Sequence, residues 1–186
     1  MTEDIEGVAT TTAAAPQCTG SLGWVYYNGY CYMFTSYHVD YLKAEELCNQ
    51  EGAYLADVKD GEENNFIKGV LNVINPKDGT DYWLGGLDAD GDKGLQWMTG
   101  MLHVIVNIFF RENCFCRLSK KTINILITII YPPFIGLALT FTDFVEGEPG
   151  GRPYLHMNFD SQFKWDTKDD ANDKDNGFVC KKVHTA

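Results

Sequence analysis

The sequence lacks the short motifs that commonly mark an enzyme. It has no GxSxG turn, no HExxH helix, no phosphate-binding glycine loop and no Cys/His pair in a catalytic context. The histidines are scattered, at His38, His103, His156 and His184. We therefore expect a protein that is not an enzyme.

Basic side chains are scarce. The chain has 15 Lys and Arg against 26 Asp and Glu, which gives a formal net charge of -11. Such a chain has no basic patch able to neutralise phosphates, so this balance excludes nucleic acid as a partner. The acidic excess is compatible with a cation ligand or with solubility alone.

The cysteines have no zinc-site spacing, because there is no CxxC pair and no Cys/His cluster. Distant single cysteines indicate disulfides and an oxidising compartment. The start has neither the basic segment nor the apolar segment of a signal peptide, so we expect the sequence to begin after a signal and residues 1–17 to form a flexible lead. The six cysteines are Cys18, Cys31, Cys48, Cys114, Cys116 and Cys180.

Local patterns predict a hairpin and two helices. Residues 24–34 are rich in aromatic side chains around an Asn28-Gly29 turn, which predicts a β-hairpin. Asp40 can cap a helix that runs through Gln50. A second helix follows Gly61 and ends at Asn75-Pro76. Its apolar residues at helical spacing, predicted to be core, are Phe66, Ile67, Val70, Leu71 and Ile74.

Two short strands are predicted next, at residues 82–87 and 95–98. The acidic stretch DADGDKG at residues 88–94 lies between them. An EF-hand calcium loop needs Gly at its sixth position and Glu at its twelfth, where this chain has Lys93 and Thr99. We therefore predict a polar turn there.

The composition changes abruptly at Met101. Eight of the eleven isoleucines lie between Ile105 and Ile135, and glycine is nearly absent there. The apolar run at residues 122–141 follows a basic segment and is about as long as a membrane-spanning helix. Pro132-Pro133 would break such a helix midway.

Short motifs outside this block follow one another in a characteristic order. They are the Cys18…Cys31 hairpin, Cys48, Trp83-Leu84-Gly85-Gly86, Leu95-Gln96-Trp97, Thr140-Phe141-Thr142-Asp143-Phe144, Gly147-Glu148-Pro149-Gly150, Lys164-Trp165-Asp166 and Phe178-Val179-Cys180. In this order they resemble the C-type lectin-like domain. The resemblance implies an α+β fold in which two helices flank small antiparallel sheets, with a long ligand loop. It covers residues 18–186, interrupted by a non-family insertion at about 102–138.

The resemblance also implies two disulfides, Cys18 with Cys31 and Cys48 with Cys180. A bridge that closes so long a loop as the second contributes about 4–5 kcal/mol on the chain-entropy model. A membrane span in the central block would place Cys48 and Cys180 on opposite sides of a bilayer, so we expect no membrane span. The block is either a true insertion in the long loop or translated non-coding sequence such as a retained intron. Its Ile/Phe/Asn/Lys bias, typical of A/T-rich codons, favours the second interpretation.

Sugar-binding members of this family hold calcium at the long loop, and the resemblance carries over a reduced site. Glu148 keeps the position that goes with mannose-type sugars, whereas Gly150 brings no side-chain oxygen. Asp166 can replace an amide ligand, and Asp169 falls near the last ligand position. The implied calcium ligands are Glu148, Asp166 and Asp169, and the implied sugar contacts are Glu148, Pro149, Gly150 and Asp166. Such a site would bind Ca²⁺ weakly.

Two functions follow from the resemblance. One is a secreted lectin that binds glycans or glycoproteins with calcium assistance, prefers mannose-type sugars and acts in innate recognition or agglutination. The alternative is a calcium-independent domain that binds a protein or another surface. Calcium dependence discriminates between them. Trp165 and Tyr154 are interpreted as core residues near the loop rather than as sugar-stacking platforms.

Overall fold

The computed structural model describes residues 16–19, 23–75, 79–88, 94–98, 136–169, 172 and 174–185. This part of the chain forms an α+β fold with two helices and nine strands. In chain order the elements are β1 (Trp24–Tyr27), β2 (Tyr30–Val39), α1 (Tyr41–Gln50), β3 (Tyr54–Leu55), α2 (Gly61–Ile74), β4 (Asp81–Leu87), β5 (Gln96–Trp97), β6 (Leu137–Ala138), β7 (Tyr154–Asn158), β8 (Lys164–Lys168) and β9 (Asn176–Val183).

The predicted hairpin is confirmed. Strands β1 and β2 pair antiparallel, with Tyr27 opposite Tyr30. The two turn residues, Asn28 and Gly29, both have positive φ, at 44° and 84°. That backbone matches the twist of the flanking strands, and Asn-Gly adopts it readily.

Helix α1 begins where the sequence predicted. The Asp40 carboxylate accepts a hydrogen bond from the Lys43 N–H at 2.8 Å, which caps the first turn. Its buried face carries Cys48, which is disulfide-bonded to Cys180 of β9. The second disulfide joins Cys18 to Cys31 of β2. Both pairs are those that the resemblance implies.

Helix α2 is capped by Asp60, which accepts from the Glu63 N–H at 2.8 Å. Ile67 and Leu71 are fully buried, as predicted. The prediction of core burial is wrong for Ile74, which is 50% exposed. Ile74 lies at the predicted helical spacing, but the helix continues one turn beyond Leu71, and this last turn lies at the surface.

Strand β4 lies at the centre of the sheet. The strand order is β1-β2-β9-β4-β5-β6, while β7 pairs with both β4 and β8, and β3 pairs with β9. Alternate residues of β4 face opposite sides, so Trp83 packs in the cluster that contains the Cys48–Cys180 bridge, and Tyr82 and Leu84 pack in the larger core. The sheet therefore joins two hydrophobic clusters.

The ends of the central block meet on the sheet. Strand β5 pairs antiparallel with β6, with Trp97 opposite Leu137, and the Gly136 N–H donates to Gln96 Oε1 at 2.8 Å. Residues 101–135, with most of the proposed insertion and Cys114 and Cys116, lie outside the described residues, as do residues 89–93 of the predicted polar turn. Among the described helices, none is long and apolar enough to cross a membrane.

The segment after the block is fixed to α2 through Asn64. Its amide donates to Asp143 at 2.8 Å, and its carbonyl oxygen accepts from Trp165 Nε1 at 3.0 Å. Trp165 is fully buried against the rings of Trp97, Phe141 and Phe144. Trp165 is therefore a core residue, and it anchors the base of the loop at residues 146–153.

Candidate functional site

The candidate site lies where the loop at residues 146–153 meets strand β8. Glu148 precedes Pro149 in this loop, and the peptide bond between them is cis. Asp166 is the central residue of β8. The structure brings these two predicted site residues together, with side chains that are 13% and 22% exposed respectively.

The Glu148 carboxylate is held by three donors. The Gly150 N–H donates to Oε2 at 2.8 Å, the Thr167 hydroxyl donates to the same oxygen, and Arg152 Nη2 donates to Oε1. Burial opposes the ionisation of Glu148, but the hydrogen bonds from Thr167, Gly150 and Arg152 outweigh it and lower the pKa of the carboxyl group below its ordinary value. Glu148 is therefore an anion at neutral pH.

Arg152 bridges the two carboxylates. Its Nη2 contacts Glu148 Oε1 and also lies 3.0 Å from Asp166 Oδ1. Asp166 Oδ1 further accepts from the Thr167 N–H at 2.6 Å. The Arg152 side chain is 37% exposed, so solvent reaches one side of the bridge.

A buried histidine lies behind Asp166. His156 of β7 is 1% exposed, and its Nε2 is 3.9 Å from Asp166 Oδ2. Its Nδ1 is 3.4 Å from Asp81 Oδ2, and that oxygen also lies 3.3 Å from Lys168 Nζ. Acidic and basic side chains therefore alternate from the loop into the sheet, in the order Glu148, Arg152, Asp166, His156, Asp81 and Lys168.

Known proteins share parts of this sequence pattern. The model of the Lectin C-type domain matches residues 37–122. This part of the chain therefore resembles a C-type lectin domain. Lectin BRA-3 of Megabalanus rosa is 32% identical over 95 residues, which are 50% of this chain and 55% of that protein. The chain thus spans about half the length of this relative, and 13% of C-type lectin domain family 4 member F of Rattus norvegicus.

Solved structures show the same fold. Human lithostathine superposes with a TM-score of 0.63 at 17% identity, over 89% of this chain and all of that one. The Ca²⁺-independent C-type lectin SPL-2 from Saxidomus purpuratus superposes with a TM-score of 0.60 at 17% identity, over 87% of this chain and 92% of that one. The family whose model matches is one of carbohydrate-binding domains without enzymatic activity.

The arrangement of side chains in this site does not fit a calcium ion. Calcium takes six to eight oxygen ligands. Here the space between Glu148 and Asp166 holds the Arg152 guanidinium, and Gly150 contributes only an N–H donor. Asp169 follows β8 and is exposed. Among the described residues, no group of three or more His, Cys, Asp or Glu side chains could hold a metal ion.

Four members of this charged group, Arg152, His156, Asp81 and Lys168, are not among the sequence-predicted site residues. Arg152 could have been found from the sequence, because it is the single basic residue beside the Glu148-Pro149-Gly150 motif. His156 gives no such signal, because its place depends on β7 pairing with β4 on one side and β8 on the other.

Proposed function

We propose that this domain binds carbohydrate at the surface formed by Glu148, Gly150, Arg152 and Asp166. The observation that carries the proposal is the Arg152 bridge between two carboxylates at the partly exposed end of the sheet. The bridge sets an acceptor, a donor and a second acceptor side by side. Neighbouring hydroxyl groups of a sugar each donate and accept, so they complement that sequence of groups.

The chemistry of Glu148 supports a preference for mannose-type sugars. It occupies the first position of the Glu148-Pro149-Gly150 element, which the family resemblance associates with these sugars. Its lowered pKa keeps it an acceptor at neutral pH. The relative from Megabalanus rosa is named a lectin, which agrees with carbohydrate binding.

The two disulfides support a secreted protein, because such bonds persist in oxidising compartments. A secreted mannose-binding domain would suit innate recognition or agglutination of glycans and glycoproteins. Single lectin sites are weak, so that role would require several copies to act together.

Retention on immobilised mannose tests the proposal. We expect the protein to be retained in calcium-free buffer containing EDTA and to be released by free mannose. Glu148→Gln and Asp166→Asn should each lower retention at least about tenfold, since each removes a charged acceptor. The control is Glu146→Gln, an exposed carboxylate in the same loop, which should behave as the wild type. Equal retention of all four proteins would contradict the proposed site.

A second candidate function is calcium-independent binding of a protein or another surface. It is favoured by the guanidinium that stands between the carboxylates, and by the fold shared with a lectin described as Ca²⁺-independent. If the folded protein flows through mannose, galactose and N-acetylglucosamine matrices alike, this second function replaces the first.

A further inference from the structure

We propose that Arg152 is a built-in substitute for the metal ion of this site, so that the domain binds its ligand without calcium. The inference concerns the ion-binding state of the site and does not depend on which ligand the site takes. One nitrogen atom of Arg152 lies between the two carboxylates. Arg152 Nη2 contacts Glu148 Oε1 and lies 3.0 Å from Asp166 Oδ1, so a single nitrogen joins the two side chains that a calcium ion would need.

The two carboxylates are largely buried side by side, and they therefore require a cation between them. Glu148 and Asp166 are 13% and 22% exposed, so both have lost most of their hydration. Two neighbouring carboxylates in this state repel each other unless a positive charge lies between them. Arg152 supplies that charge permanently, because a guanidinium stays protonated at any physiological pH.

Further donors hold the same two carboxylates. Glu148 Oε2 accepts from the Gly150 N–H and from the Thr167 hydroxyl, and Asp166 Oδ1 accepts from the Thr167 N–H. A calcium ion entering here would have to displace the guanidinium and break these bonds. It would also meet a positive charge on a tether only four residues from Glu148. The site is therefore complete without a metal.

The replacement of calcium by Arg152 determines the conditions in which the domain can bind its ligand. A site that needs calcium is filled in the extracellular fluid and empties where calcium is low. A site closed by Arg152 keeps its geometry in both conditions. The domain should therefore hold its ligand in calcium-poor compartments and in the presence of chelators.

Thermal unfolding in EDTA and in millimolar calcium tests the inference without any sugar. The wild-type Tm should be the same in both buffers. Arg152→Glu removes the guanidinium and adds a third carboxylate, so its Tm should fall in EDTA. Calcium should then restore about 3–6 °C once it exceeds its dissociation constant tenfold. Arg152→Lys keeps a cation and should not respond to calcium.

A matched control separates the site from net charge. Lys43→Glu on α1 makes the same change in net charge in a side chain that forms an ion pair with Glu46, and it should gain no calcium response. Should Arg152→Glu fail to fold, Arg152→Gln serves in its place, with a smaller calcium response. The proposal is overturned if calcium raises the wild-type Tm and Glu148→Gln abolishes that rise, or if a folded Arg152→Glu protein ignores calcium.

Discussion

Replacing Lys181 with methionine should cost the fold about 4–5 kcal/mol. Lys181 lies on β9 and is fully buried, with Nζ 2.6 Å from Asp57 Oδ1 and in contact with Glu63 Oε1. Glu63 also accepts from the Tyr32 hydroxyl and from the Lys59 N–H. Asp57 and Glu63 are 3% and 5% exposed, so two buried carboxylates depend on one ammonium group.

The size of the effect follows from what the substitution leaves behind. Breaking a buried ion pair by removing one partner costs about 3–5 kcal/mol, because the other charge stays buried without compensation. Here the removal strands two carboxylates, which places the loss in the upper part of that range. A domain of this kind has about 5–15 kcal/mol of stability in total, so the variant should be close to unfolding.

Urea unfolding followed by circular dichroism measures this loss. The matched control is Lys182→Met, since Lys182 is partly exposed, with Nζ 3.3 Å from the Glu51 carbonyl oxygen and over the Trp24 ring. It should cost less than about 1 kcal/mol. Adding Glu63→Gln to Lys181→Met should recover part of the loss. A loss for Lys181→Met no larger than that of the control would refute the reasoning.

Three further predictions concern stability. Burial raises the pKa of Glu45 to about 7 from 4.5, so the wild type should lose stability as the pH rises through this interval. Glu45→Gln should remove this pH dependence and add about 1–2 kcal/mol of stability at pH 8, after allowance for partial solvent access. Urea unfolding at each pH measures both effects. Trp165→Phe should cost about 1–3 kcal/mol, because Asn64 Oδ1 loses its buried donor; a neutral result in thermal unfolding would contradict the role of that bond. The pairing of Trp97 with Leu137 places Met98 opposite Gly136, so deletion of residues 101–135 would leave Thr99-Gly100 as a two-residue turn between them. The shortened protein should fold with both disulfides formed, as measured by mass spectrometry and circular dichroism. An insoluble or reduced product would contradict this.

Local chemistry explains which elements the sequence could predict. The Asn28-Gly29 turn and the Asp40 cap are set by the residues themselves, so both lie where the pattern placed them. The end of α2 shows the limit of periodicity, because spacing alone does not say where the core beneath Ile74 stops. The family resemblance, rather than any local rule, provided the Cys48–Cys180 pairing.

The site and the buried charges were harder to predict because they depend on strand pairing. Arg152 reaches Asp166 only because β7 and β8 pair with His156 opposite Asp166. In the sequence, Lys181 is half of a polar Lys-Lys pair. It follows Cys180 on the opposite face of β9, however, and so points at Glu63 in the first turn of α2. The sequence of one strand does not show which residues of distant segments it will contact.

The central claim is that carbohydrate binds at the Arg152 bridge. The most direct test is an NMR titration of the ¹⁵N-labelled protein with mannose in EDTA buffer. We predict that the largest amide shifts occur at Gly150, Arg152, Asp166 and Thr167, and that Glu148→Gln abolishes them. Shifts that cluster elsewhere, for example along the cleft lined by Tyr54 and Val183, or an unchanged spectrum at saturating sugar, would contradict the account.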